Sequence, residues 1–280
     1  LSVIWGSSFI LIKRGLDAFS FEQVATLRIF IASIFLAVLG RKFYTKIPIK
    51  KLWPIFLTGV IGNGIPPFLF SKAQTYVDSG IVGILNVLTP IFTILFGILF
   101  YNLKVKTINY LGVVLGIIGT IYLLLPQSEQ LNDKTLYYSI IAILGTACYG
   151  WSANILKAHL EDLNAIQITT ISFSFIGPWA GIYLFCGSFL EIMQSHPKAL
   201  ASLGSIVILA IMCSAIAVIA FNKLIKMTGP LFATSCTYII PIVAIIWGIS
   251  DKEIITIHHI IGFVIILSGI YLVNKRTYSL

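Results

Sequence analysis

The chain is predicted to be an all-α integral membrane protein of ten transmembrane helices arranged as a five-plus-five inverted repeat. Three observations predict this. Of its 280 residues, 58% are hydrophobic and only 10% charged, with a mean hydropathy of +0.98. A soluble domain is about 25% charged, so no water-soluble core could absorb this much apolar surface. Ten apolar runs of roughly membrane-spanning length follow one another with short loops. The chain also repeats itself: residues 70–99 lie without gaps on 221–250, so that Phe70, Lys72, Pro90 and Gly97 fall on Phe221, Lys223, Pro241 and Gly248.

A helix crosses the bilayer core with about 17–25 mostly apolar residues. The first run, 1–16, starts inside an apolar stretch without a methionine, so residues are expected before Leu1 and this helix is read as truncated. It leads into Lys13 and Arg14 with no small-residue cleavage site, unlike a secretory leader. The second run, 23–40, holds Arg28 near its start, and the third, 53–72, contains GVIGNGIPPF, whose glycines and prolines disfavour regular helix. The fourth, 79–101, is punctuated by Pro90; the fifth, 107–125, spaces Gly112, Gly116 and Gly119 as a close-packing face. The sixth to tenth runs are 135–156, 165–186, 203–222, 229–249 (with Pro241) and 257–274 (with Gly262 and Gly269). The longest loop, after Cys186, carries Glu191, His196, Pro197 and Lys198.

Two further windows repeat. Residues 5–28 fall on 149–172, where Gly6/Gly150, Ser8/Ser152, Lys13/Lys157, Gln23/Gln167 and Thr26/Thr170 coincide, and 109–123 fall on 259–273. Apolar coincidences mean little in such a chain; shared Gly, Pro, Lys and Gln positions mean more. The predicted units are therefore 1–125 and 135–276, joined by 126–134. Five helices per unit is an odd number, so the second unit enters the membrane from the opposite side.

The net charge of +9 does not point to nucleic acid, because the basic residues sit between apolar runs. With the N-terminus inside, 12 Lys and Arg fall in inner loops and 6 in outer loops, which predicts both termini cytoplasmic in an inner or plasma membrane. The segment 41–51 contributes most of the bias. The four cysteines lie in apolar stretches without a CxxC pair, and the four histidines have no metal-ligand spacing. No Gly-rich phosphate loop and no Ser/His/Asp pattern is present, so no cofactor, metal or catalytic residue is predicted. The expected partners are a small solute and the lipid bilayer, with the oligomeric state left open, monomer included.

The run WGSSFILIKRGL (5–16), Arg28 early in the second helix, the Pro90 and Pro241 helices and the glycine-bearing fifth and tenth helices resemble the EamA family of the drug/metabolite transporter superfamily. The resemblance covers essentially the whole chain. It implies the ten-helix inverted repeat, a central cavity lined mainly by helices one, three, four, six, eight and nine, and export of small metabolites. The family often has Leu-Gly-Glu after the fourth and ninth helices; here Phe100-Tyr101-Asn102 and Asp251-Lys252-Glu253 stand there, and only Glu253 keeps the carboxylate.

Mid-helix polar residues are costly in lipid and mark candidate solute contacts. Asn63, ten residues into the third helix, and its repeat counterpart Ser214 either line a cavity or stabilise a kink. Asn86 and Thr89, before Pro90, and Thr237, before Pro241, either satisfy a carbonyl freed by proline or face a solute. Tyr238 could cap a solute or pack between helices. Trp151 and Asn154 of the sixth helix are further candidates, beside Tyr149, and Trp5, Ser7 and Ser8 of the first are noted with them. Arg28 is expected to snorkel outward or pair with Asp17 or Glu22, with a role in substrate or gating as the alternative. Lys72 and Lys223 sit at helix ends and are expected to snorkel; inward-pointing side chains there would favour a carrier of phosphorylated sugars or nucleotide sugars.

All ten acidic residues fall at predicted helix ends or in loops. The expected cavity is thus polar, aromatic and uncharged, and proton coupling through a central carboxylate is disfavoured. The predicted function is transport, as an exporter, of amino acids or aromatic, amphipathic metabolites by alternating access. An integral-membrane enzyme or lipid-handling protein is the alternative from another class.

Overall fold

The computed structural model describes residues 1–44, 47–104, 106–124 and 133–274. Helices cover all ten apolar runs: α1 (Ser2–Leu16), α2 (Phe21–Leu39), α3 (Ile49–Ala73), α4 (Ser79–Tyr101), α5 (Thr107–Leu124), α6 (Asp133–His159), α7 (Ala165–Cys186), α8 (Ala199–Thr228), α9 (Pro230–Ser250) and α10 (Ile257–Asn274). There is no strand among the described residues. Among the described residues, eight helices, α2 to α9, are long and apolar enough to cross a membrane. The predicted boundary between units, 126–134, lies almost wholly outside the described residues.

Local chemistry sets the helix ends. Ser20 and Gln23 form a reciprocal capping box, Ser20 N–H donating to the Gln23 amide oxygen (3.0 Å) and Gln23 N–H to Ser20 Oγ (3.3 Å), so α2 begins at Phe21 and not at 23. Asn164 caps α7 by accepting from Ile166 N–H at 2.8 Å. Helices α3, α6 and α8 run beyond their apolar stretches because polar and charged residues continue the helix outside the hydrocarbon. The 30 residues of α8 span about 45 Å against a hydrocarbon core of about 30 Å. A short helix, Phe189–Ser195, occupies the long loop.

Two helices are locally unwound in the same way. Helix α3 takes a π-helical turn over Thr58–Gly64, and α8 takes one over Leu209–Ile216. A shift of 151 residues carries Thr58 onto Leu209 and Asn63 onto Ser214. Such bulges widen the helix and concentrate at functional sites.

The packing repeats at a step of five helices. Helix α2 packs on α7, and α5 on α10; α1 lies against α8 and α9, as α6 lies against α3 and α4; α2 touches α8, and α7 touches α3. The α5–α10 contact uses the predicted glycines. A Cβ on Gly112 would stand 2.5 Å from the Gly269 carbonyl oxygen, so only glycine permits this approach. Asn109 Nδ2 donates to the Val273 carbonyl at 2.7 Å across the same seam. Outward faces are apolar: Leu111, Val114, Ile118 and Ile121 of α5 are exposed, as are Ile257, Ile261 and Val264 of α10. Hydrocarbon is the solvent that suits such a surface.

Candidate functional site

Several of the buried polar residues line a cavity of about 80 Å³, room for several water molecules. Its wall comes from α1, α3, α4, α6, α8 and α9, with Arg28 and Ile29 of α2 and Phe173 of α7 added to the expected set. Asn63, Asn86, Thr89, Ser214 and Thr237 line it; Trp151, Asn154 and Tyr238 stand outside.

Both π-helical turns contribute to the wall, Thr58, Gly62 and Asn63 from α3 and Cys213 and Ser214 from α8. Asn63 Nδ2 reaches the Thr58 carbonyl and Ser214 Oγ the Leu209 carbonyl, both five residues back and both at 3.5 Å. Bonds at that limit are weak and leave Asn63 little committed to the backbone. Pro90 removes the amide that would have bonded the Asn86 carbonyl; Thr89 Oγ1 donates to that carbonyl instead at 2.7 Å. Thr237 Oγ1 likewise donates to Thr234 O at 2.8 Å. Both threonines bond a backbone carbonyl from a place in the wall; the Asn86 carbonyl is the one Pro90 frees, whereas Thr234 O is not the partner Pro241 would have had.

The three outlying candidates have other contacts. Trp151 stacks on Phe100 at 5.7 Å on the outer surface. Asn154 Nδ2 donates to Thr93 O and Gly150 O, both at 2.9 Å, and ties α6 to α4. Tyr238 packs against the core beside α9, its hydroxyl buried without a partner among the described residues.

Aromatic rings form the rest of the wall. Trp5 meets Phe221 edge-on at 5.0 Å and donates from Nε1 to Cys213 O at 3.0 Å. Phe70 stacks on Tyr149 at 5.6 Å and meets Phe9 edge-on. Ser8 and Ser152, which coincide in the repeat, both line the cavity, as do Thr58 and Asn222. A polar residue shared by both repeats at mid-helix was the signal in the sequence for the serine pair; Thr58 and Asn222 left none.

Arg28 corrects the expected chemistry. It neither snorkels nor pairs with Asp17 or Glu22: it is 6% exposed, lines the cavity, and donates from Nε to Ser214 Oγ at 2.5 Å. The Tyr149 phenol lies alongside the guanidinium. Asp17 pairs with Arg14 and Lys198, and Glu22 accepts from Ser20 Oγ. Because α2 starts at Phe21, Arg28 stands about 10 Å below the helix start, too deep to reach the surface easily. The cavity is therefore cationic, not uncharged. Lys72 lies over the Phe21 ring at 5.6 Å and Lys223 is exposed, so neither contributes charge to it. Among the described residues no Asp or Glu lines it.

An ion cluster adjoins the wall at Ile12. Just beyond Ile12, Lys13 Nζ binds Asp251 and Glu253, each at 2.7 Å, and Arg14 also pairs with Asp251. The Glu253 carboxylate, 1% exposed, accepts from Ser79 N (3.0 Å), Ser79 Oγ (2.7 Å) and Gly80 N (2.9 Å) at the start of α4. Burial pushes its carboxyl up, but the bonds from Lys13, Ser79 and Gly80 outweigh burial and hold it below the usual glutamate range. The Asp78 carboxyl beside it is raised by burial and by the charge of Glu253. This cluster ties α1, α4 and the end of α9 together.

The chain is similar to known membrane proteins. The model of the EamA-like transporter family matches residues 1–125 and 136–275. An uncharacterised inner membrane transporter of Escherichia coli strain K12, YedA, is 26% identical over 262 residues, covering 89% of this chain and 79% of its own length. An uncharacterised transporter of Archaeoglobus fulgidus is 24% identical, covering 97% of this chain and 95% of its own. A probable terminal-alkyne amino-acid exporter of Streptantibioticus cattleyicolor is 21% identical, covering 98% and 91%. A solved crystal structure superposes with a TM-score of 0.64 over 98% of this chain and 94% of its own at 13% identity, a likeness of fold.

Proposed function

Because the chain belongs to the EamA-like transporter family, we propose that it carries a small organic metabolite through the α1–α9 cavity by alternating access between two inverted five-helix units, 1–125 and 135–276. The single observation that carries this reading is the cavity wall: it is built from repeat-related positions, Asn63 with Ser214, Asn86 with Thr237 and Ser8 with Ser152. The packing scheme that maps onto itself at a step of five helices supports the two-unit architecture. Two units that can exchange conformations open the same site to one side and then the other.

The lysine and arginine bias supports cytoplasmic termini, and the name of the E. coli relative supports an inner membrane. Aromatic rings beside amide and hydroxyl groups suit an amino acid or an aromatic, amphipathic metabolite. Export of an amino acid is the activity in the name of the S. cattleyicolor relative. A carrier of phosphorylated sugars would need opposed cations, and the wall holds one. With no carboxylate lining the cavity, flux is expected to follow the solute gradient without an obligatory pH gradient.

The test is efflux of radiolabelled amino acids and aromatic metabolites from proteoliposomes, with and without a pH gradient. Asn63→Leu and Thr237→Val are expected to lower flux about tenfold, and Gly112→Ala to lower yield of folded protein while sparing flux per molecule. The reverse order would move the site away from the cavity, and strictly gradient-driven flux would contradict the coupling claim.

A further inference from the structure

Within the carrier reading, on which this inference rests, Arg28 is the least explained group. A guanidinium is charged at every accessible pH and offers five donors in a planar fork. Here it is 6% exposed; Nε is engaged by Ser214, and the guanidinium also hydrogen-bonds the Tyr149 phenol. Every ion pair of the described residues lies elsewhere, on Lys13, Arg14, Lys51, Lys157 and Lys198. A buried cation without a counter-ion is strongly unfavourable unless something negative visits it. In a membrane interior such a group is retained for function.

We propose that Arg28 is the anchor for a carboxylate on the transported solute, so that the substrates are monoanionic or zwitterionic acids with an apolar, preferentially aromatic, body. The repeat counterpart of Arg28 is Ser172, so the charge is single and off the symmetry of the site. One guanidinium matches one carboxylate in a bidentate pair and does not neutralise a phosphate dianion. Ser214 holds Nε, which fixes the plane of the fork; Ser214 sits on the π-helical turn of α8. Phe70, Tyr149 and Phe173 stand in the same wall to receive the body of the solute. A rearrangement of the π-helical turn of α8 would move the Arg28 plane, which couples recognition of the acid to the shape of α8. Ser214 is a positioning residue in this scheme.

The experiment compares phenylacetate, L-phenylalanine and the neutral analogue phenylacetamide on the full chain. Binding is read by thermal shift and intrinsic tryptophan fluorescence in nanodiscs, and flux by efflux from proteoliposomes. Wild type should bind at least one of the two acids at least about tenfold more tightly than the amide, the worth of a charge-assisted bond. Arg28→Gln should abolish that preference, and Ser214→Ala should weaken it with a smaller effect. The acid-to-amide ratio is measured on wild type alone, so it holds even if Arg28→Gln does not fold. Acid binding without flux supports the anchor and contradicts the carrier. Equal binding and flux of acid and amide overturns the anchor and leaves the carrier standing.

Discussion

The two turns that follow α4 and α9 both fold back on a helical glycine, one residue out of step with each other, and they differ in chemistry. In each, an amide turns back on the last helical glycine: Leu103 N–H reaches Gly97 O and Glu253 N–H reaches Gly248 O, both at 2.9 Å, with Asn102 (φ 51°) or Lys252 (φ 63°) in the left-handed region. After α9 the carboxylate of Glu253 folds over Gly248 and collects the amides at the start of α4. After α4 the repeat position holds Asn102, the residue facing Ser79 in register is Pro230, which has no amide to give, and Lys157, the counterpart of Lys13, pairs on its own helix with Glu161. At one end Glu253 is buried among its donors; at the other, Lys51 Nζ pairs with Asp162 at 2.6 Å and donates to the His159 carbonyl at 2.7 Å in a more exposed setting, where an ion pair is worth less. In the proposed alternating-access scheme, the end near Asn102, which has no buried carboxylate like Glu253, is the one expected to open at lower cost.

The largest break in this comparison is Glu253→Ala. It strips the acceptor from Ser79, Gly80 and Lys13 and is expected to cost about 2 kcal/mol, read as a lower melting temperature in detergent, whereas Asn102→Gly is expected to change stability by less than about 0.5 kcal/mol. Acid acts next, on the same groups. The Glu253 carboxyl is depressed in the folded state, so its contribution is complete above its ordinary value of 4.5 and is lost as pH falls below that through the depressed value. Melting temperature against pH should fall in that range for wild type and run flatter for Glu253→Gln. A matched glycine pair sharpens the contrast. A Cβ on Gly248 would lie 2.6 Å from Glu253 Oε2, while one on Gly97 would meet the movable end of Leu103 at 2.9 Å; Gly248→Ala is expected to cost about 1–2 kcal/mol more than Gly97→Ala in the same assay. The smallest effect is expected from Asn102→Glu, within about 0.5 kcal/mol, because Pro230 offers the new carboxylate neither the amide nor the hydroxyl that Ser79 gives Glu253.

Much of the fold was legible because lipid demands long apolar runs, and the repeat shows in residues that cannot be placed by hydropathy alone. Gly and Pro around Asn63 announced the unwound turn in α3. The matching turn in α8, LAIMCSAI, has no glycine or proline and was visible only by shifting the sequence by 151 residues. Arg28 was misjudged for a different reason. In a helix that is apolar nearly all round, periodicity gives no inward face, and two residues of capping box moved the helix start and with it the depth of the charge. Trp151 and Asn154 share α6 with lining Tyr149 and Ser152, yet point away from the cavity, a distinction of about 100° per residue that composition does not carry. Glu253 was noted as the surviving acid of a family turn; that it reaches across to Ser79 and Gly80 is a tertiary fact.

The claim under test throughout is that the two ends exchange which is open. Pulsed dipolar distances between spin labels at exposed Thr75 and Lys252, on the Glu253 end, and at exposed Lys104 and Thr228, on the other, measure it directly. The account predicts that Glu253→Ala lengthens the first distance and shortens the second. Both distances lengthening together, or neither moving, would contradict it.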